Sequence, residues 1–140
     1  MDEDEARRRL AAGRVGRLAT VTEHGAPHLV PVVFAVVNDL VYTAVDRKPK
    51  TTMALQRLAN IESTGRASLL VDEYEEDWSA LWWVRVDGSA QVLELGVNEV
   101  PIAVEALTRK YPQYLSQPPT GRVIAIRLGR WRWWEATPTP

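Results

Sequence analysis

The sequence predicts a single, mainly β domain, an antiparallel barrel with peripheral helices, and three observations carry that expectation. Its runs of β-branched and aromatic residues are separated by turns of hairpin length. After an N-terminal helix, six strands and two further helices follow the order β-β-β-α-β-β-α-β, without the strict strand–helix alternation of a doubly wound parallel sheet. The second run is apolar on both faces, which an antiparallel strand tolerates only when both sides are covered. Length agrees, since 140 residues suffice for one core that buries roughly two-thirds of the unfolded chain's surface.

Taken in order, residues 2–12 read as a short helix. Asp2, Glu3, Asp4 and Glu5 suit its positive N-terminal end, Arg7, Arg8 and Arg9 lie further on, and Gly13 stops it. The runs "VGRLATVT", "HLVPVVFAVV" and "LVYTAV", divided by "EHGAP" and "ND", predict a three-stranded meander. Pro31 removes a ladder donor, so the second strand belongs at an edge or is interrupted where the chain bends. On it Val30, Val32, Phe34 and Val36 alternate with Leu29, Val33, Ala35 and Val37. The barrel core covers one set, and a partner subunit or a helix covers the other.

In "TTMALQRLAN", Met53, Ala54, Leu55, Leu58 and Ala59 fall at helical spacing, with Thr51 or Thr52 as N-cap and Asn60 near the end. "RASLLVDEY" and "ALWWVRVDGSAQVLEL" follow as strands, joined through an acidic loop at 72–77 that either gates a site or is simply solvated. A helix over 97–110 carries Val100, Val104 and Leu107 on one face. The linker "YPQYLSQPPTG" leads to a last strand, "RVIAIRLGRWRWWEA". The expected division is a helix over 2–12, a barrel over 14–135 and a flexible Pro/Thr tail over 136–140, with no internal repeat.

Composition narrows the function. With 46% hydrophobic and 25% charged residues the chain is an ordinary globular one. A net charge of -1 argues against a general nucleic-acid binder, which needs a basic excess. The absence of cysteine excludes disulfides, thiolate metal sites and thiol nucleophiles. No apolar run approaches the ~20 residues that span a bilayer. The acidic N-terminus is unlike a signal peptide, so the expected location is the cytoplasm. His24 and His28 flank the turn "HGAPH" and lack further ligands, so no metal is expected. Neither a G-x-S-x-G elbow nor a suitably spaced carboxylate pair occurs, and no catalytic side chain is named.

The stretch "DRKPKTTMALQRLAN", residues 46–60, sets Arg47, Lys48 and Lys50 just ahead of a predicted helix. A helix N-terminus offers unpaired amides and a positive dipole, so upstream cations complete an anion site suited to phosphate. Lys50 is the best placed, and Thr51 and Thr52 add hydroxyl donors. The same residues also read as an exposed basic loop. No Gly-rich phosphate loop accompanies them, so a nucleoside triphosphate is not implied.

Six tryptophans are the second feature. Strand alternation puts Trp82 with Val84 and Val86 on one side and Trp83 with Arg85 on the other, and it sets Trp131 and Trp133 opposite Arg132 and Trp134. They do not all fit one small core. An aromatic on the second face implies a subunit interface or a planar ligand. A single-stranded nucleic-acid barrel would use the Arg47, Lys48 and Lys50 patch with Trp131, Arg132, Trp133 and Trp134 as a stacking platform, but the overall acidity opposes it.

Read together, "GRLATVTEHGAPHLVPVVFAV", "VYTAVDRKPKTTMALQRLANI", "RASLLVDEY" and "WVRVDGSAQVLE" resemble the pyridoxamine 5'-phosphate oxidase-like superfamily, and within it the flavin/deazaflavin oxidoreductases that use coenzyme F420. The resemblance runs from about residue 13 to residue 94 and resumes at the C-terminal strand. It implies a six-stranded antiparallel split β-barrel of the FMN-binding type and a homodimer with two cofactor sites at the subunit interface. The expected activity is hydride transfer between the deazaflavin and an unsaturated planar small-molecule substrate.

The resemblance also implies residue roles. Lys50 and Arg47 hold the cofactor phosphate with Thr51 beside them, and Lys48 meets the oligoglutamate tail. Val30, Pro31 and Val32 run beside the ring, where backbone amides polarise a ring carbonyl. Trp83 and Trp131 are pocket walls, and Arg85 orients an anionic substrate. Two departures stand out. "KTTMAL" lacks the arginine and asparagine that often follow the lysine in this branch. Trp82 and Trp83 replace the arginine–glutamine pair with which pyridoxamine oxidases bind FMN phosphate. The second departure favours coenzyme F420 over FMN. An FMN-dependent oxidase or reductase, and a non-catalytic barrel that binds a cofactor or haem, stand as alternatives.

Overall fold

The computed structural model describes residues 1–45 and 52–137. It begins with α1 (Glu3–Ala12), where the Asp2 side chain accepts a hydrogen bond from the Glu5 N–H at 2.9 Å. That N-cap satisfies one of the orphan donors of the first turn, and the acids around it face the positive end of the dipole. The buried side of α1 is Ala6 and Leu10.

Among the described residues, seven strands form one antiparallel sheet: β1 (Gly16–Val21), β2 (Pro27–Val32), β3 (Ala35–Val37), β4 (Leu40–Ala44), β5 (Arg66–Glu73), β6 (Trp82–Val92) and β7 (Val123–Glu135). Their spatial order is β2-β1-β5-β6-β7-β4-β3. The expected three-stranded meander is therefore corrected. The second apolar run splits at Val33 and Phe34 into β2, which pairs with β1, and β3, which pairs with β4. Consecutive in the chain, β2 and β3 sit at opposite ends of the strand order, so the sheet curls into a half-barrel.

The physical reason for the split lies far away in sequence. The Tyr111 hydroxyl accepts from the Phe34 N–H at 3.1 Å and lies 3.0 Å from the carbonyls of Phe34 and Arg14. Thr43 donates to the Val33 carbonyl at 2.8 Å. Side chains thus satisfy the backbone groups that leave the ladder. Pro31 is not the breakpoint, although its edge position is as expected. The Thr22 N–H donates to Ala26 across the β1–β2 turn, which sets the phase of the ladder. Pro27 and Pro31, opposite Val21 and Arg17, fall where an N–H would point away from β1.

The inner face is the core, with Leu18, Phe34, Val41, Leu69, Val84, Val86, Ile124 and Ile126 fully buried. Helix α1 packs at the end near Val71 and Trp82, and α2 (Thr52–Thr64) packs at the other end, where Leu58 and Ile61 enter the core. The predicted helix runs four residues past Asn60. Gly65, at φ +68°, ends it with its N–H on the Ile61 carbonyl. Asn60 is buried, accepts from Gln56 at 2.6 Å and donates to Thr20 at 3.0 Å. Helix α3 (Glu99–Lys110) lies on the outer side of β4 and β7, where Ala103 meets Tyr42, Val123 and Ala125. Its fully buried residues are Ala103 and Leu107, with Val100 and Val104 half-buried.

The long β6–β7 pair contains one irregularity. Asp87 opposes Arg130 and Gly88 opposes Leu128, leaving Gly129 as the extra residue of a bulge. The bulge keeps Ile126 and Trp131 on the same face although they are an odd number of residues apart.

Beyond α3, the Lys110 ammonium donates to the Ala11 carbonyl at 3.0 Å and sits 3.9 Å from the centre of the Phe34 ring. Burial, then the neighbouring Arg14 charge, pushes its pKa down to about 8. The folded state therefore binds fewer protons than the unfolded state between about pH 8 and the ordinary value of 10.5, so stability rises with pH across that window. Tyr111, pushed up by burial, opposes this only above its ordinary value of 10.0. Denaturation curves from about pH 8 to pH 10 are expected to show the rise in the parent protein and a flatter profile in Lys110→Met. An equal rise in the variant would place its origin elsewhere.

Candidate functional site

The face of the sheet opposite the core is organised by register. One row across the strands reads Leu29, Ala19, Ser68, Asp87 and Arg130. The next reads Pro31, Arg17, Leu70, Arg85 and Arg132, and a third reads Asp72, Trp83 and Trp134. Period-two alternation produces this outer face as the complement of the core. It leaves large apolar surface in water, with Leu29 64% and Trp134 46% exposed.

A cleft of about 500 Å³ opens over these rows. Its apolar wall is Ala19, Leu29, Leu70, Leu81, Trp82, Trp83 and Trp134, and its polar rim includes Arg17, Ser68, Asp72, Glu73, Tyr74 and Arg85. The arginines are fixed by carboxylates: Arg17 pairs with Asp72 at 3.0 Å, and Arg85 pairs with Asp87 at 3.0 Å. Asp87 also accepts from the Ser68 hydroxyl at 2.7 Å. Arg85 directly opposes Arg132, a like-charge pair that an unoccupied surface would disfavour. In the neighbouring acidic loop the Ser79 hydroxyl and N–H hold the Asp77 carboxyl below its usual range, which keeps it charged.

The structure brings some of the expected site residues together and separates others. Trp83 and Arg85 both line the cleft. Trp131 lies on the other face, 7% exposed in the core with the Arg7 guanidinium 4.7 Å from its ring, so it shares no cavity with Trp83. Pro31 is on the outer face beside Arg17. Val32 is buried and Val30 packs against the core. By the ladder phase the N–H groups of Val30 and Val32 face β1, while that of Leu29 faces outward. Arg47, Lys48, Lys50 and Thr51 lie outside the described residues.

Leu29, Arg17, Asp72, Tyr74 and Trp134 were not anticipated as lining residues. Alternation alone put Trp134 opposite Trp131, but only the register sets it against Trp83. Among the described residues no group of His, Asp or Glu has the arrangement to hold a metal ion. No described helix is long and apolar enough to cross a membrane.

Comparison with known proteins bears on the geometry as a whole. The model of the pyridoxamine 5'-phosphate oxidase family matches residues 2–135. No curated protein matches the sequence. Among solved structures, a conserved hypothetical protein of Mycobacterium tuberculosis is 22% identical with a TM-score of 0.77, over 96% of this chain and 85% of that one. An FAD-binding protein of Mesorhizobium loti is 21% identical with a TM-score of 0.76, over 98% and 96%. A heme-binding protein of Mycobacterium smegmatis is 23% identical with a TM-score of 0.74, over 94% of this chain but only 53% of that one. These similarities show the fold. With the family model spanning nearly the whole sequence, the chain belongs to the pyridoxamine 5'-phosphate oxidase family.

Proposed function

We propose that the protein is an oxidoreductase that binds coenzyme F420 with the deazaflavin ring in the Trp83–Trp134 cleft. The observation that carries this reading is the cleft itself: a flat apolar wall holding two indoles, rimmed by arginines whose geometry is set by carboxylates. The residues present fit a planar heteroaromatic ring, since indole faces stack on one and outward donors at its rim reach polar ring edges. Two indoles open the strand where FMN-binding oxidases of the resemblance carry a phosphate-binding pair, which favours the deazaflavin.

When bound, the coenzyme supplies the hydride chemistry. The chain's own part is placement. Trp83 and Trp134 exclude water from one face, and the outward N–H of Leu29 stands at the cleft margin as a donor. Arg85, held by Asp87, orients an anionic substrate. Lys50 and Arg47, with Thr51 and Lys48 beside them, hold the phosphate and tail as the resemblance implies. A second copy across the outer face forms the opposite wall, giving a homodimer with two sites.

Equilibrium binding of cofactor-stripped protein to coenzyme F420 and FMN in parallel, followed by tryptophan fluorescence, tests the reading. Coenzyme F420 is expected to bind more tightly by about tenfold or more. Lys50→Ala is expected to weaken it by about tenfold through loss of a charge-assisted contact. Preference for FMN would move the protein to the FMN-dependent reading. Binding of haem alone would move it to the non-catalytic one, and binding of none would remove the cofactor site.

A further inference from the structure

The chain contains three lysines, at positions 48, 50 and 110, and Lys110 is the only one among the described residues. Its surroundings suit a cation poorly. The Nζ donates to the Ala11 carbonyl at 3.0 Å, one of the carbonyls that the last turn of α1 leaves without a partner. Among the described residues Lys110 forms no ion pair. Its charged neighbour is itself cationic: the Arg14 guanidinium donates to the Lys110 carbonyl at 3.1 Å and lies 4.7 Å from the centre of the Tyr111 ring. The Nζ stands 3.9 Å from the centre of the Phe34 ring and 5.4 Å from that of Tyr111. Aromatic faces attract an ammonium, but they replace none of the hydrogen bonds that its other N–H groups made to water. A lysine desolvated against apolar surface and set beside another cation is an activated nucleophile. Lys110 is half-buried rather than enclosed, so a small reagent reaches it.

We propose that Lys110 is a site of N-acylation that takes an acyl group from a small acyl phosphate. The lone pair of the neutral amine attacks the acyl carbon, and the bond from that carbon to the bridging phosphate oxygen breaks. Inorganic phosphate leaves with the electron pair, the nitrogen gives a proton to water, and nothing is oxidised or reduced. The product fits the site better than its precursor does. An amide nitrogen keeps one N–H for the Ala11 carbonyl and carries no charge for Arg14 to repel. An aldehyde matches the site less well, because its imine either has no N–H for Ala11 or, once protonated, restores the charge.

The charged or titratable groups that face the amine are Arg14, between α1 and β1, and Tyr111, just after α3. Burial, then Arg14, pushes its pKa down to about 8, which enlarges the neutral, reactive fraction near neutral pH. Lys110 does not line the Trp83–Trp134 cleft, so the proposal stands apart from the cofactor reading.

Brief treatment of the folded protein with acetyl phosphate near neutral pH, followed by peptide mass spectrometry of the three lysines, tests it. Lys110 is expected to acetylate about tenfold or more faster than Lys48 and Lys50, part of its larger free-amine fraction being offset by lower basicity and half-burial. In urea the three rates should converge, because burial and Arg14 no longer act. In the folded protein the Lys110 rate should level off above about pH 8, well short of the ordinary lysine value of 10.5. Protein acetylated at Lys110 is expected to melt at a higher temperature than the parent near neutral pH, since the fold no longer carries a charge it disfavours. Equal rates in the folded protein, or a preference that persists in urea, overturn the site. A lower melting temperature overturns the claim that the fold accommodates the product.

Discussion

Replacing Gly88 by alanine is expected to destabilise the protein by about 3–5 kcal/mol, lowering the melting temperature by roughly 10–15 °C for a chain of this size. A Cβ at position 88 would lie 2.0 Å from the Arg127 carbonyl oxygen and 3.0 Å from its carbonyl carbon. Both atoms are backbone, so no side-chain rotation relieves the clash, and β6 and β7 would have to separate where they form the longest pairing of the sheet. Gly25→Ala is the matched comparison. Gly25 instead has a left-handed backbone, φ +88°, and nothing lies within 4 Å of its Cβ position. Its cost is expected to be about 1–2 kcal/mol, the left-handed penalty alone. Thermal melts of the two variants check the contrast, and equal losses would mean that close approach at the bulge contributes nothing.

Tyr111→Phe is expected to cost about 2–4 kcal/mol, although the ring is kept. The phenol serves both the N–H and the carbonyl of Phe34 and also the Arg14 carbonyl. Phe34 is fully buried, so water does not easily replace the lost partner at the break between β2 and β3. Equilibrium urea unfolding should show a lower midpoint with a little-changed slope. Hydrogen exchange at the Phe34 amide should accelerate more than at amides in β6. A variant as stable as the parent would show that the break is held by packing alone.

These two positions mark what local sequence does not reveal. The helices were legible because their caps and spacing are local: Asp2, Gly13 and the Leu58 face needed no knowledge of a partner. Face assignments also survived, since Trp83 and Arg85 alternate against Val84 and Val86 whatever lies opposite. Pairing did not. Nothing in "VPVVFAVV" marks Val33 and Phe34 as a crossing point, because the partner that makes it possible is a tyrosine in what reads as a loop 77 residues away. The cleft was half visible for the same reason. Its indole at position 83 follows from alternation, whereas Leu29 and Trp134 join it only once β2 is set beside β1 and β7 beside β6. Gly129 similarly looks like a weak point in a strand, and only register shows it to be the residue that keeps two tryptophans facing inward.

The outermost position of β2 has a consequence for behaviour in concentrated solution. A strand at the end of a sheet invites a second chain to add to it, and this one is apolar. Its ladder phase turns Pro27, Leu29 and Pro31 toward the free side. Two of those three residues have no N–H to offer, so an approaching strand finds a single donor where a regular edge presents a row. The prolines that weaken β2 as a strand thereby guard the fold against aggregation. They let an apolar edge exist beside an apolar cleft without templating growth from either.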